Sequence, residues 1–204
     1  MRRSIVMGAG SLAGAALIAA LSYNAAVAGG EPDDLLGEPA EVTSAGEIVE
    51  TNAEGDVVKA RGERAELVDT DSGEVVFSIA VTDVRIVDSC PGRDDSTVLP
   101  MNGKFVVLTI DAHMPASIRV HADGENSEIL MPVFAEAFEV ADATGNALGS
   151  ATDASWLCYE PEQLAPPFVG PGERAQGLVV LDSQIDAGQI RYTPGSQTGW
   201  AWDF

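Results

Sequence analysis

The chain holds only two histidines and two cysteines among its 204 residues. A Ser-His-Asp arrangement would need His113 or His121 beside an activated serine, and no serine spacing proposes one. No C-x-x-C pair occurs, which removes the usual zinc and redox motifs. Positive charge is also scarce: 11 Lys and Arg stand against 32 Asp and Glu, a net −21. A field of that sign repels nucleic acid and anionic lipid, so no nucleic-acid partner is expected. Aromatics make up 6%, so a core must lean on Val, Ile, Leu and Ala. Two motif fragments are incomplete. Gly195-Ser196-Gln197-Thr198-Gly199 has glutamine at its centre, where a nucleophile elbow places serine. Gly103-Lys104 lacks the upstream glycine and the following Ser or Thr of a phosphate-binding loop. With no residue set for chemistry, the chain reads as a non-enzyme without a cofactor.

What is present begins with an export signal over residues 1–28. Arg2-Arg3 precede an apolar, Gly/Ala-rich run from Gly8 to Leu21, and Ala26-Val27-Ala28 supplies the small residues of a cleavage site. The twin arginines suggest Tat export as an alternative to Sec. An uncleaved anchor is the rival reading, because Ile5 to Tyr23 is long enough to span a bilayer. Cleavage predicts no stable membrane insertion of the mature chain. Losing two arginines and no acid would take its charge from −21 to −23. Residues 29–73 read as an acidic flexible spacer, because residues 29–46 have few large apolar side chains to offset ordering entropy. Ile48-Val49, Val57-Val58 and Leu67-Val68 leave a short hairpin near its end open.

Residues 74–204 carry the strand pattern. Phe77, Ile79 and Val81 alternate with Ser78, Ala80 and Thr82; Val106, Leu108 and Ile110 alternate with Val107 and Thr109. Further strands are predicted at Ile118–His121, before an Asp123-Gly124 turn, and over Phe134–Ala141 and Ala175–Leu181. Ile190–Tyr192 and Trp200–Trp202 complete the set. A strand over Trp156–Tyr159 would point Trp156 and Cys158 the same way. Asp142-Ala143-Thr144-Gly145-Asn146 has the composition of a hairpin turn. Cys90 and Cys158 are the sole cysteines, and in an exported chain an even pair reads as a disulfide worth about 4 kcal/mol. Seven or eight short strands, one bridge and a tryptophan beside a cysteine predict an all-β, antiparallel, immunoglobulin-like β-sandwich. Its two sheets are expected to close over the Cys90–Cys158 link.

Three stretches carry a family likeness. They are Gly103-Lys104-Phe105-Val106-Val107-Leu108-Thr109-Ile110, Phe138-Glu139-Val140-Ala141-Asp142-Ala143-Thr144-Gly145, and Pro171-Gly172-Glu173-Arg174 running into Gly177–Leu181. In their order the chain resembles the telokin-like, immunoglobulin-like domains of secreted and lipid-anchored Gram-positive (actinobacterial) envelope proteins, the family of the mycobacterial immunoprotective secreted antigen. The resemblance covers roughly residues 74–204. It implies an antiparallel sandwich in a cell-envelope or extracellular location and carries over no catalytic residue. This chain departs from the family in lacking an anchor cysteine and in its long acidic spacer.

The expected function is therefore a secreted, non-catalytic binding or interaction module with an unknown protein or envelope glycan as partner. The alternative is an envelope metal-binding protein. Met101, His113, Met114, His121 and Met131 lie close in sequence, and soft Met/His sets suit copper. On a strand, however, His113 and Met114 point to opposite faces, and Met101 and Met131 equally suit core gaps. Calcium would use Asp94-Asp95 or Asp123-Gly124-Glu125, without a regular oxygen-ligand loop. Trp200 and Trp202 share a strand face: outward, they would make a sugar platform; inward, they close the core.

Overall fold

The computed structural model describes residues 41–42, 48–69, 72–116, 121–122, 125–126, 130–194 and 199–204. The signal, most of the acidic spacer, Ile118–Val120, the Asp123-Gly124 turn and Gly195–Thr198 lie outside the described residues. So do the side chains of His121 and Glu125.

The protein is an all-β sandwich with a Cys90–Cys158 disulfide. Its nine-stranded main sheet contains, in chain order, β1 (Val57–Lys59), β2 (Ala65–Val68), β3 (Val75–Val87), β4 (Lys104–His113), β5 (Phe138–Ala141), β6 (Ala147–Ser150), β7 (Arg174–Ser183), β8 (Gln189–Tyr192) and β9 (Trp200–Asp203). The spatial order is β1-β9-β8-β5-β6-β7-β4-β3-β2. The short β6 pairs with both β5 and β7 and so joins the two layers, β2-β3-β4-β7 and β1-β9-β8-β5. Gly149 makes that junction: a Cβ there would lie 2.7 Å from the Ser183 Cβ and 2.9 Å from the Asp182 carbonyl oxygen. Only glycine lets the strands approach so closely.

The predicted alternation holds in the long central strands. Phe77, Ile79 and Val81 of β3, Val106, Leu108 and Ile110 of β4, and Val179 and Leu181 of β7 turn inward. They meet Phe138, Val140, Ile190, Tyr192 and Trp202 of the other layer. Five of the aromatics, Phe77, Phe138, Tyr192, Trp200 and Trp202, gather there. Tyr192 lies 4.9 Å from Phe138 and 6.2 Å from Phe77 and stacks on Trp200 at 6.1 Å, centroid to centroid. Its hydroxyl donates to the Pro132 carbonyl at 2.9 Å, and burial pushes the phenol pKa up. Asp142–Asn146 forms the hairpin turn between β5 and β6, with Gly145 at φ 82°.

Four expectations are corrected. First, the sheet begins before Glu74. Strands β1 and β2 belong to it but do not pair with each other; they form its opposite edges. A buried ion pair fixes β1. Asp56 accepts from Arg191 Nε at 2.6 Å and from the Gly199 amide at 2.8 Å. Strand β1 then runs parallel to β9, the exception to an otherwise antiparallel main sheet. Second, Trp156–Tyr159 is not a strand. Residues Asp153–Trp156 form one helical turn, α1, because Thr152 and Ser155 make a reciprocal capping box. Trp156 is 43% exposed while Cys158 is buried, so the two do not share a face. Third, the disulfide does not lie between the sheets. It belongs to a second apolar cluster with Phe105, Val107 and Val180, the outward-facing residues of β4 and β7. Fourth, Met101 is 68% exposed and fills no core gap, whereas Met131 is buried beside Val133 and Val169 in the main core.

Candidate binding groove

The outer face of β7 carries Arg174, Gln176, Leu178, Val180 and Asp182 in alternation. In an open sandwich such a face would meet water. Here two excursions cover it, residues 88–103 and 151–168. The disulfide links them with a Cα–Cα distance of 5.6 Å. Buried Asp182 links them again: it accepts from the Met101 amide at 2.6 Å, the Asn102 amide at 2.9 Å and the Thr152 hydroxyl at 3.0 Å. Charge-assisted bonds from three donors stabilise a carboxylate that would be costly to bury alone.

The second excursion returns along β7. Leu164 bridges to Leu178, and the Ala165 amide donates to the Leu178 carbonyl at 2.9 Å. Gly177 makes this possible, since a Cβ there would lie 2.5 Å from the Ala165 nitrogen. The Val133 amide in turn donates to the Pro167 carbonyl at 2.9 Å. These contacts leave a groove of about 520 Å³ lined by Trp156, Pro161, Pro166, Pro167, Phe134 and Leu178, among others. That size falls in the usual range of ligand clefts, about 300–1,000 Å³. Phe134 is held by an edge-to-face contact with Phe168 at 5.3 Å. Arg93 steadies α1 by donating to the Trp156 carbonyl at 3.1 Å. Glu162 is the charged residue in the lining.

Beyond Gln176 the same face carries an ion-pair set. Asp111 of β4 accepts from Arg174 Nε at 2.9 Å and from Arg64 Nη2 at 2.8 Å. The Arg174 hydrogen bond, with the nearby Arg64 charge, holds the Asp111 carboxyl below the usual carboxylate range. The Gln176 side chain lowers it a little further.

The residues singled out in the sequence fall elsewhere. Trp202 is fully buried and its indole N–H donates to the Glu63 carbonyl at 3.3 Å; Trp200 is half-buried against the same core. Their shared face is thus the inner one. His113 is exposed at the end of β4, and Met114 beside it is buried in the core. The structure therefore does not bring this pair together. Asp94 and Asp95 lie in an exposed turn with φ values of 62° and 56°. Among the described residues no group of three or more His, Cys, Asp or Glu is placed to hold a metal. Sequence reasoning missed the groove, whose legible signals were Thr152-Asp153-Ala154-Ser155 as a cap and the prolines at 161, 166 and 167.

The fold and the site together define a class: a disulfide-stapled, all-β sandwich with an apolar groove on its outer face. No family model matches the sequence, and no curated protein matches it. A solved structure it resembles is the crystal structure of MPT63, a secreted protein from Mycobacterium tuberculosis. The TM-score is 0.47 and the identity 14%, over 73% of this chain and 98% of that chain. No residue role passes across a likeness of that size.

Proposed function

We propose that the protein is an exported, non-catalytic binding module of the cell envelope or extracellular space, and that the groove on the outer face of β7 is its working surface. The observation that carries this reading is the half-exposed Trp156. A large indole left partly in water beside three prolines, on a turn anchored by a disulfide and a buried carboxylate, is a costly arrangement for packing alone. Apolar concave sites with a few polar groups are where ligands and partners are bound. Export is supported by the signal-like residues 1–28 and by the paired cysteines.

The test uses the mature protein and the uncharged, polarity-sensitive dye Nile red. Saturable binding is expected, weakened at least about tenfold by Trp156→Ala, equivalent to about 1.4 kcal/mol. Dye binding that is absent, or indifferent to Trp156→Ala in a protein of unchanged thermal stability, would overturn the assignment of the groove.

A further inference from the structure

We infer that the groove receives an extended, proline-containing, basic segment of a partner protein; this rests on the reading of the groove as the binding site. The first argument is charge. The segments that line the groove, residues 133–137 and 153–168, contain Glu136, Asp153, Glu160 and Glu162 and no Lys, Arg or His. All four acids are exposed. The guanidiniums beside the groove are already engaged within the protein: Arg93 on the Trp156 carbonyl, Arg64 and Arg174 on Asp111. A cationic ligand is therefore drawn by Glu162 in the lining, by the acids of the flanking chain and by the net −21 of the whole. An anionic one is opposed by the same charges.

The second argument is shape. Trp156, Phe134 and three prolines line the groove with rigid rings. Such surfaces suit a polyproline II segment, which arrives already extended and loses little entropy on docking. From Gln176 to Val180 the floor runs about 13 Å at strand spacing. That accommodates about four residues at the polyproline II rise of 3.1 Å. Glu162 lines the same groove as Trp156, so a carboxylate and an indole are both available to attract one Lys or Arg.

The experiment titrates three capped peptides into the mature protein near physiological salt, where screening reduces the long-range field. One repeats Pro-Pro-Leu-Arg, the second replaces Arg with Glu, and the third replaces Pro with Gly. The Arg peptide should bind at least about tenfold tighter than either of the others. Glu162→Gln should remove most of the preference for Arg over Glu in a protein of unchanged thermal stability. Glu66→Gln, the same charge change on the far edge strand β2, should leave that preference intact. Equal binding of the Arg and Glu peptides, or of the Pro and Gly peptides, would overturn the inference. So would equal effects of the two substitutions, since the preference would then belong to net charge and not to the groove. If Nile red also fails to bind, the groove assignment itself falls; if Nile red binds and the peptides do not discriminate, only the partner class falls.

Discussion

The two faces of β4 and β7 are built from similar residues and held in different ways. Inward, Val106, Leu108, Ile110, Val179 and Leu181 meet a second layer of sheet, and apolar area does the work. Outward, Phe105, Val107 and Val180 meet no second layer of the main sheet, but a two-residue ladder of Cys90–Pro91 with Thr97–Val98 and the chain around it. They are covered by irregular chain that has little regular structure of its own. Such chain must be tethered, because its ordering entropy is not offset by ladder hydrogen bonds or by broad burial. Cys90–Cys158 and Asp182 are the tethers. The inner face makes the fold, and the outer face, being covered by loops, is where a groove can be left open.

That contrast is broken most severely from the inside. Phe77→Ala should cost about 3–5 kcal/mol, because the site lies between two layers and touches Tyr192. Chemical denaturation should show one cooperative transition moved to lower denaturant, with groove and core lost together. An effect below about 1 kcal/mol would mean that the two layers do not share a core.

Removing the staple should separate the faces instead. The Cys90→Ala/Cys158→Ala double variant should lose about 2–4 kcal/mol. More telling is where protection is lost. Amides of residues 156–159 should exchange with solvent much faster, while those of β4 keep most of their protection. Uniform loss over both regions would contradict the division argued above.

How much of this was legible follows from the same contrast. The inner face was readable because alternation along Phe77–Val81 and Val106–Ile110 is a local pattern with a fixed physical meaning. The bridge was readable as a pair, but not its location, since a disulfide reports that two segments meet and not which face they cover. The helical turn at Asp153–Trp156 was hidden by Trp156 and Tyr159, aromatic residues of a type enriched in strands. The capping box of Thr152 and Ser155 overrode that preference. The edge strands β1 and β2 were too short to read. β1 is set by the Asp56–Arg191 pair, 135 residues apart in sequence, and no window of sequence contains such a contact. The groove was least legible because its residues come from three separated stretches.

The smallest effect lies at the edge of the comparison, in the β5–β6 turn, which belongs to neither core. Asp142 accepts from the Thr144 hydroxyl at 2.7 Å, the Thr144 amide at 2.8 Å and the Asn146 amide at 3.0 Å. Those bonds, the Thr144 hydroxyl first, bring its pKa down to about 2. The folded value is thus below the unfolded value of about 4. A group depressed in this way stabilises the fold above its unfolded pKa, and the contribution fades as pH falls from about 4 to about 2. Asp142→Ala should therefore lower stability slightly at neutral pH and leave it unchanged below the folded pKa. Asp111 is depressed as well, by Arg174 first and then Arg64, so the wild-type protein should lose further stability in the same acid limb. Denaturation midpoints of the wild type and Asp142→Ala should converge as the pH approaches 2. Curves that stay parallel across that window would show that the turn's bonds do not depend on the charge of Asp142.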